Sequence, residues 1–252
     1  MGKIFFICCS VLLNIAFIFL LWTICKKNKL TFKKSEIITI FGVIFVILLF
    51  YIISVATRKF LYYWDYSCYY DLQLGLEDTF ANSGIKDGLS SFIGSTWSGE
   101  YGTFLTFFPE FIFHFTNRTE NAYLICLAVL FIPYLVFAMS IFLKTFLRKI
   151  KQDKLSIFIS ALCIFISMPI LHQNLVFGQP DIFGVALITT ILALTIDYDF
   201  KKLDWQRYAM LIVTTILLVI SRRWYLYWVA TYYICYAAYL IIHCYLNDKK
   251  IA

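Results

Sequence analysis

Charge is what this sequence lacks most. Only 15% of its 252 residues are Asp, Glu, Lys or Arg, and 62% are hydrophobic. A soluble domain sits nearer a quarter charged and half apolar. With a mean hydropathy of +0.79, that shortage excludes an ordinary soluble fold and leaves a polytopic membrane protein. Proline (4) and glycine (10) are scarce as well. No Pro/Gly/Ser linker and no second soluble domain can be marked off, so 1–252 reads as a single membrane domain. No internal repeat is evident. The eight cysteines show no CxxC and no paired Cys/His spacing, which removes a zinc site of that kind and a disulfide framework. Cys8, Cys9, Cys25, Cys126, Cys163, Cys235 and Cys244 lie inside apolar runs and read as small packing residues.

What the chain has in abundance is long apolar runs. They predict an all-α, polytopic membrane helix bundle of about seven spans, near 4–25, 37–56, 121–143, 155–172, 182–196, 208–221 and 224–246. The first run has no small-residue cleavage site after it and is followed by five lysines, a stop-transfer flank, so it is kept as a helix. The runs 182–196 and 208–221 are short for a full crossing. The net charge of +7 could point to nucleic acid, but the basic residues sit in short clusters between apolar runs, the pattern of membrane topology. Of the 22 Lys and Arg, 15 fall in alternate loops. Placing those loops in the cytoplasm puts the N-terminus outside, the C-terminus inside and the protein in the cell membrane.

One long stretch does not fit lipid. The loop 57–120 is then extracytoplasmic, and more than half of the acids lie in it: Asp65, Asp71, Glu77, Asp78, Asp87, Glu100, Glu110 and Glu120, eight of 15. Mixed polar and apolar residues over 69–80 and 89–97, with turn signals at Asn82-Ser83-Gly84, Asp87-Gly88 and Ser98-Gly99, predict two or three short interfacial helices. The run 103–115, broken by Pro109 and Glu110, predicts a re-entrant or surface-lying helix rather than a span.

Two acids stand out by context. Asp65 lies among Tyr62, Tyr63, Trp64, Tyr66, Tyr69 and Tyr70. Such aromatics are ordinary at an interface, yet they also make a partly desolvated carboxylate with a stacking face for a sugar. Glu100 is flanked by Gly99 and Gly102, which allow close backbone approach. The remaining loop acids read as solvated surface. Arg222 and Arg223 sit on the outer side against the charge trend, at headgroup depth, where arginines pair with phosphate; snorkelling helix caps are the plainer alternative. In the outer turn 172–181, Asp181 suits a helix N-terminus, and His172 suits a structural hydrogen bond. Asp197-Tyr198-Asp199 has no βαβ context to hold a nucleotide and reads as a solvated turn.

The segment Trp64-Asp65-Tyr66-Ser67-x-Tyr69-Tyr70 enters a large outer loop after an early span. It is followed by Gly99-Glu100-Tyr101-Gly102, a Pro-broken apolar run, a span from Asn121, and Phe177-Gly178-Gln179-Pro180-Asp181-Ile182 after the next helix pair. This order resembles integral-membrane glycosyltransferases of the GT-C superfamily. The resemblance implies transfer of a sugar from a polyprenyl-phosphate carrier to an envelope acceptor on the outer face. It implies catalytic roles for Asp65 and Glu100, as base or metal ligand, and substrate contacts from Trp64, Gln179, Asp181, Arg222 and Arg223. It leaves open a divalent metal and a partner subunit. The chain ends after its last apolar run, like the N-terminal membrane half of such an enzyme. A non-catalytic or truncated membrane subunit and a transporter or flippase of a lipid-linked substrate therefore stand beside the enzyme as alternatives. The spans hold few polar groups for transport, among them Asn14, Ser160, Ser167, Thr189, Thr190, Thr214 and Thr215.

Overall fold

In the computed structural model the described residues are 1–57, 65–98, 102–151, 181–196, 198 and 204–248; for 65–67, 97–98 and 243–248 only the backbone is described. All regular structure among them is helical, with no strand. The helices are α1 (Gly2–Lys27), α2 (Lys34–Thr57), α3 (Asp65–Asn82), α4 (Ile85–Ser98), α5 (Glu110–Phe113), α6 (Glu120–Lys149), α7 (Asp181–Thr195), α8 (Trp205–Ser221) and α9 (Tyr225–Asp248), with a 3-10 helix at Thr103–Phe107 before α5.

Four of these are long and apolar enough to cross a membrane: α1, α2, α6 and Tyr225–Ile242 within α9. Even the 18-residue stretch of α9 spans ~27 Å at ~1.5 Å per residue, close to the ~30 Å of a hydrocarbon core. α7 and α8, at 15 and 17 residues, are shorter, as their runs in the sequence are. The expected span at 155–172 lies outside the described residues.

Local chemistry sets the ends. α1 closes on Lys26 and Lys27 and α6 on Arg148 and Lys149, cations at the negative end of the helix dipole. Thr119 caps α6 by accepting from the Ala122 amide, and Asp204 caps α8 by accepting from the Arg207 amide, each satisfying a donor that the first turn leaves unpaired. Gly84, at φ 89°, makes the tight turn between α3 and α4 that a side chain would strain.

Burial divides the helices. α7 is the centre: Phe183, Ala186, Leu187, Ile191 and Leu194 are fully enclosed, chiefly against α6 and α8. α2 and α9 are peripheral, and large apolar side chains such as Phe45, Phe50, Ile234 and Ile241 face outward. An apolar face of that extent is at home in lipid and not in water.

The bundle has two unlike ends. At one, the close of α1 is knotted to the ends of α6 and α7 and the start of α8. Buried Asn28 donates to the carbonyl of Ala193 (3.0 Å) and to Thr145, and accepts from Arg207 (2.9 Å); Lys27 holds both oxygens of Asp204 at 3.0 Å. Lys144 and Lys149 bond nearby to Glu36 and the Ile196 carbonyl. At the other end, α3, α4 and the segment 102–119 form a cap over the start of α1 and α6.

The cap does not lie flat. Residues 102–110 are all buried. A surface-lying helix, one of the two forms expected for 103–115, does not describe this burial. Pro109 stops the 3-10 helix from running on into one long helix. The carbonyl of Phe108 is then met inside the bundle by Ser10 (3.0 Å) and Asn14 (2.9 Å) of α1, while Tyr134 donates to the other side of the Asn14 amide. Around this anchor Phe108, Phe183, Phe131 and Phe17 pack ring on ring, Phe108 and Phe183 with centroids 4.5 Å apart. Asn14, one of the few polar groups in a span, therefore seats the cap.

Candidate functional site

Two polar constellations sit at the cap end. The first joins residues far apart in sequence. Asp181 opens α7 and Arg222 follows α8; Arg222 Nη1 donates to Asp181 Oδ2, and the Tyr225 hydroxyl donates to the Asp181 carbonyl at 3.2 Å. Gly184, one turn into α7, leaves the space that the Tyr225 ring fills, so a side chain there would strike the phenol. Burial works against the Arg222 charge, but Asp181 outweighs it and the guanidinium is held charged more firmly than usual; buried Tyr69 also acts on it. Tyr69 lies one turn beyond Asp65, the first residue of α3. Gly102, just before the 3-10 helix, approaches the Ile220 carbonyl at the end of α8. The start of the inserted segment thus lies beside the end of α8, and Tyr69 of α3 is near enough for its charge to act on Arg222.

Of the residues singled out in the sequence, the structure brings Asp181 and Arg222 together. Arg223 is in the same turn, in the short link to α9. Asp65 is placed by its backbone at the head of α3; its side chain, with Trp64, Glu100, Gln179, His172, Asp197 and Asp199, lies outside the described residues.

The second constellation corrects the solvated reading for Glu77 and Glu110, while Asp71, Asp78 and Asp87 are exposed as expected. Glu77 and Glu110 are both 0% exposed. Gln73 and Glu77 are four residues apart on one face of α3, and Glu110 and His114 are four apart at α5, so the two pairs face each other. Gln73 donates to Glu110 Oε2. His114 Nδ1 lies 3.3 Å from Glu77 Oε1 and 3.7 Å from Glu110 Oε1. Lys3, from the first turn of α1, reaches Glu77 Oε1 at 2.9 Å, and Arg118 reaches Glu77 Oε2 at 2.7 Å and Asp78 at 3.5 Å. Burial alone would raise the Glu77 pKa, but the bond from Lys3 and the charges of Arg118 and Lys3 outweigh it and hold Glu77 below the usual carboxylate range. Among the described residues no Lys or Arg contacts Glu110. Its burial, and then the charge of Glu77, push its carboxyl up to about 8. The only signal of this cluster in the sequence is the spacing of two polar pairs at i, i+4 inside apolar surroundings.

Two cavities flank these groups. A cleft of about 530 Å³ between α3 and α4 is lined by Cys68, Asp71, Gly75, Ser91, Ser95 and Thr103 among others. It opens where Gly75 has no side chain and where a Cβ would meet nothing within 4 Å. A groove of about 430 Å³ runs between α1 and α8, with Phe17, Leu20, Phe108, Met210 and Leu217 on its walls. The first offers hydroxyls and a carboxylate, the second almost only hydrocarbon.

No family model, curated protein or solved structure matches this chain.

Proposed function

We propose that the protein is a membrane glycosyltransferase of the GT-C type, which moves a sugar from a polyprenyl-phosphate carrier to an envelope acceptor at the cap end of the bundle. In this reading the chain has seven spans, with the N-terminus and the loop 57–120 outside. Lys149 and Asp181 lie at opposite ends of the bundle, the arrangement that a span over 155–172 requires.

The observation that carries the reading is the Asp181–Arg222 pair, placed at the cap end of the bundle, where α3 opens at Asp65. A carboxylate and a firmly charged guanidinium at one end of a membrane bundle are the groups that the reaction needs. Asp65 takes the proton of the acceptor hydroxyl as that oxygen attacks the anomeric carbon. The bond from that carbon to the phosphate oxygen breaks, and Arg222 offsets the charge on the departing polyprenyl phosphate. Asp181 orients Arg222. The hydroxyl-lined cleft suits a sugar-bearing acceptor, and the apolar groove suits a prenyl chain. Glu100, Trp64, Gln179 and Arg223 complete the proposed site.

The test is envelope glycan analysis by mass spectrometry in cells that carry Asp65→Asn or Arg222→Ala as their only copy. Loss of one glycan species with unchanged membrane insertion is expected for both. A normal glycan profile in Asp65→Asn removes that residue's catalytic role and leaves a non-catalytic membrane subunit as the better description.

A further inference from the structure

We propose that Glu77, Glu110 and His114 form a binding site for one divalent first-row metal ion of the zinc or manganese class, which ties α3 to the 110–114 segment within the cap. The inference does not depend on the glycosyltransferase reading.

The geometry comes first. The three ligand atoms, one from each side chain, lie within 4.8 Å of one another, and the His114–Glu77 pair is already at 3.3 Å. Ligands at ~2.0–2.1 Å around a tetrahedral ion stand about 3.3 Å apart, so closing the site needs shifts of about 1.5 Å or less. One imidazole with two carboxylates suits zinc or manganese better than calcium or magnesium, which favour all-oxygen shells.

A second observation points to a missing ligand. Among the described residues, Glu110 Oε1 and Gln73 Oε1 are both fully buried and have no hydrogen-bond partner, and both side chains are 0% exposed. Buried oxygens without partners are costly. Both belong to this one cluster, and a cation would satisfy Glu110 directly, with Gln73 offering a fourth oxygen.

The cations already there do not close the site. With a divalent ion bound, Lys3 swings away as an ammonium, and the charges of Glu77, Glu110 and Asp78 offset Arg118 and the ion. Lys3 is able to make that move: its side chain is 38% exposed and sits in the first turn of α1. Arg118 stays, held by its contact to Glu77 Oε2 and by the bond from Tyr70 to its carbonyl at 2.8 Å.

The experiment uses the full chain in lipid nanodiscs, stripped with chelator and titrated with zinc chloride and manganese chloride by calorimetry. Wild type should bind one ion per chain. Glu110→Gln, which keeps the size of the side chain and a hydrogen-bonding oxygen, should weaken binding ~100-fold, the upper end of what the loss of a supporting side chain costs. His114→Ala should do the same. Lys3→Gln, which removes the competing cation, should bind more tightly than wild type. Absence of stoichiometric uptake by folded wild type overturns the proposal and leaves a cluster that holds a proton only. Uptake that persists unchanged in Glu110→Gln and His114→Ala, or that Lys3→Gln weakens, overturns it as adventitious.

Discussion

Glu110 sets the pH behaviour of the cap. Its carboxyl is pushed from 4.5 to about 8 in the fold, so between those values the folded chain holds a proton that the unfolded chain has lost. Stability then falls as pH rises through that window, and the loss is complete above about 8. Glu77 is shifted the other way; its contribution is present above the ordinary carboxylate range and lost as pH falls below it. Thermal unfolding in nanodiscs without added metal should therefore show a midpoint that drops from pH 5 to 8, and Glu110→Gln should flatten that drop. An unchanged slope in Glu110→Gln would show that the group titrates normally. Asn14 gives a second prediction at this scale. Asn14→Leu leaves the Phe108 carbonyl with one donor fewer and Tyr134 without its acceptor, a cost of about 1–3 kcal/mol. It should appear as faster proteolysis of the cap segment, with the spans still inserted.

At the scale of elements, six of the apolar runs were legible as helices because each carries its own signal, and four of those helices are long and apolar enough to cross a membrane. The runs 4–25, 37–56, 121–143, 182–196, 208–221 and 224–246 each lie on a helix, α1, α2 and α6 to α9. The short helices of the loop were legible too: mixed polarity between turn residues predicts α3 and α4, though α3 starts earlier, at Asp65. The plug at 102–110 and the burial of Glu77 and Glu110 were not legible. Both depend on partners about 75 to 100 residues away along the chain, Lys3 for Glu77 and Ser10 and Asn14 for Phe108, and no local pattern encodes such partners. The pairing of Asp181 with Arg222 was likewise hidden, although both residues were singled out. Gly75 supplies the prediction for α3. With open space where its Cβ would sit, Gly75→Ala should stabilise the helix by up to about 1 kcal/mol. Gly75→Phe should fill the cleft and lower acceptor affinity without unfolding the cap. Wild-type affinity in Gly75→Phe would remove the cleft from the proposed site.

For the whole molecule, the segregation of charge is the physical basis of the proposed orientation. Lys27, Lys144, Arg148 and Lys149 bind backbone and acids at one end, and the cap with its buried carboxylates closes the other. Positive loops stay in the cytoplasm, so a membrane-impermeant thiol reagent added to intact cells should label Lys86→Cys and spare Lys29→Cys; the opposite pattern inverts the topology. The proposed function rests on that placement, since in it a carrier-linked sugar meets Asp65 and Arg222 at the cap. The most direct test is transfer by the purified chain in liposomes supplied with lipid-linked sugars extracted from its host membranes, with release of free polyprenyl phosphate as the readout. The account predicts release by wild type and a loss of at least ~100-fold in Asp65→Asn, the scale of a missing general base. No release by the folded wild type, or equal release by Asp65→Asn, would contradict it.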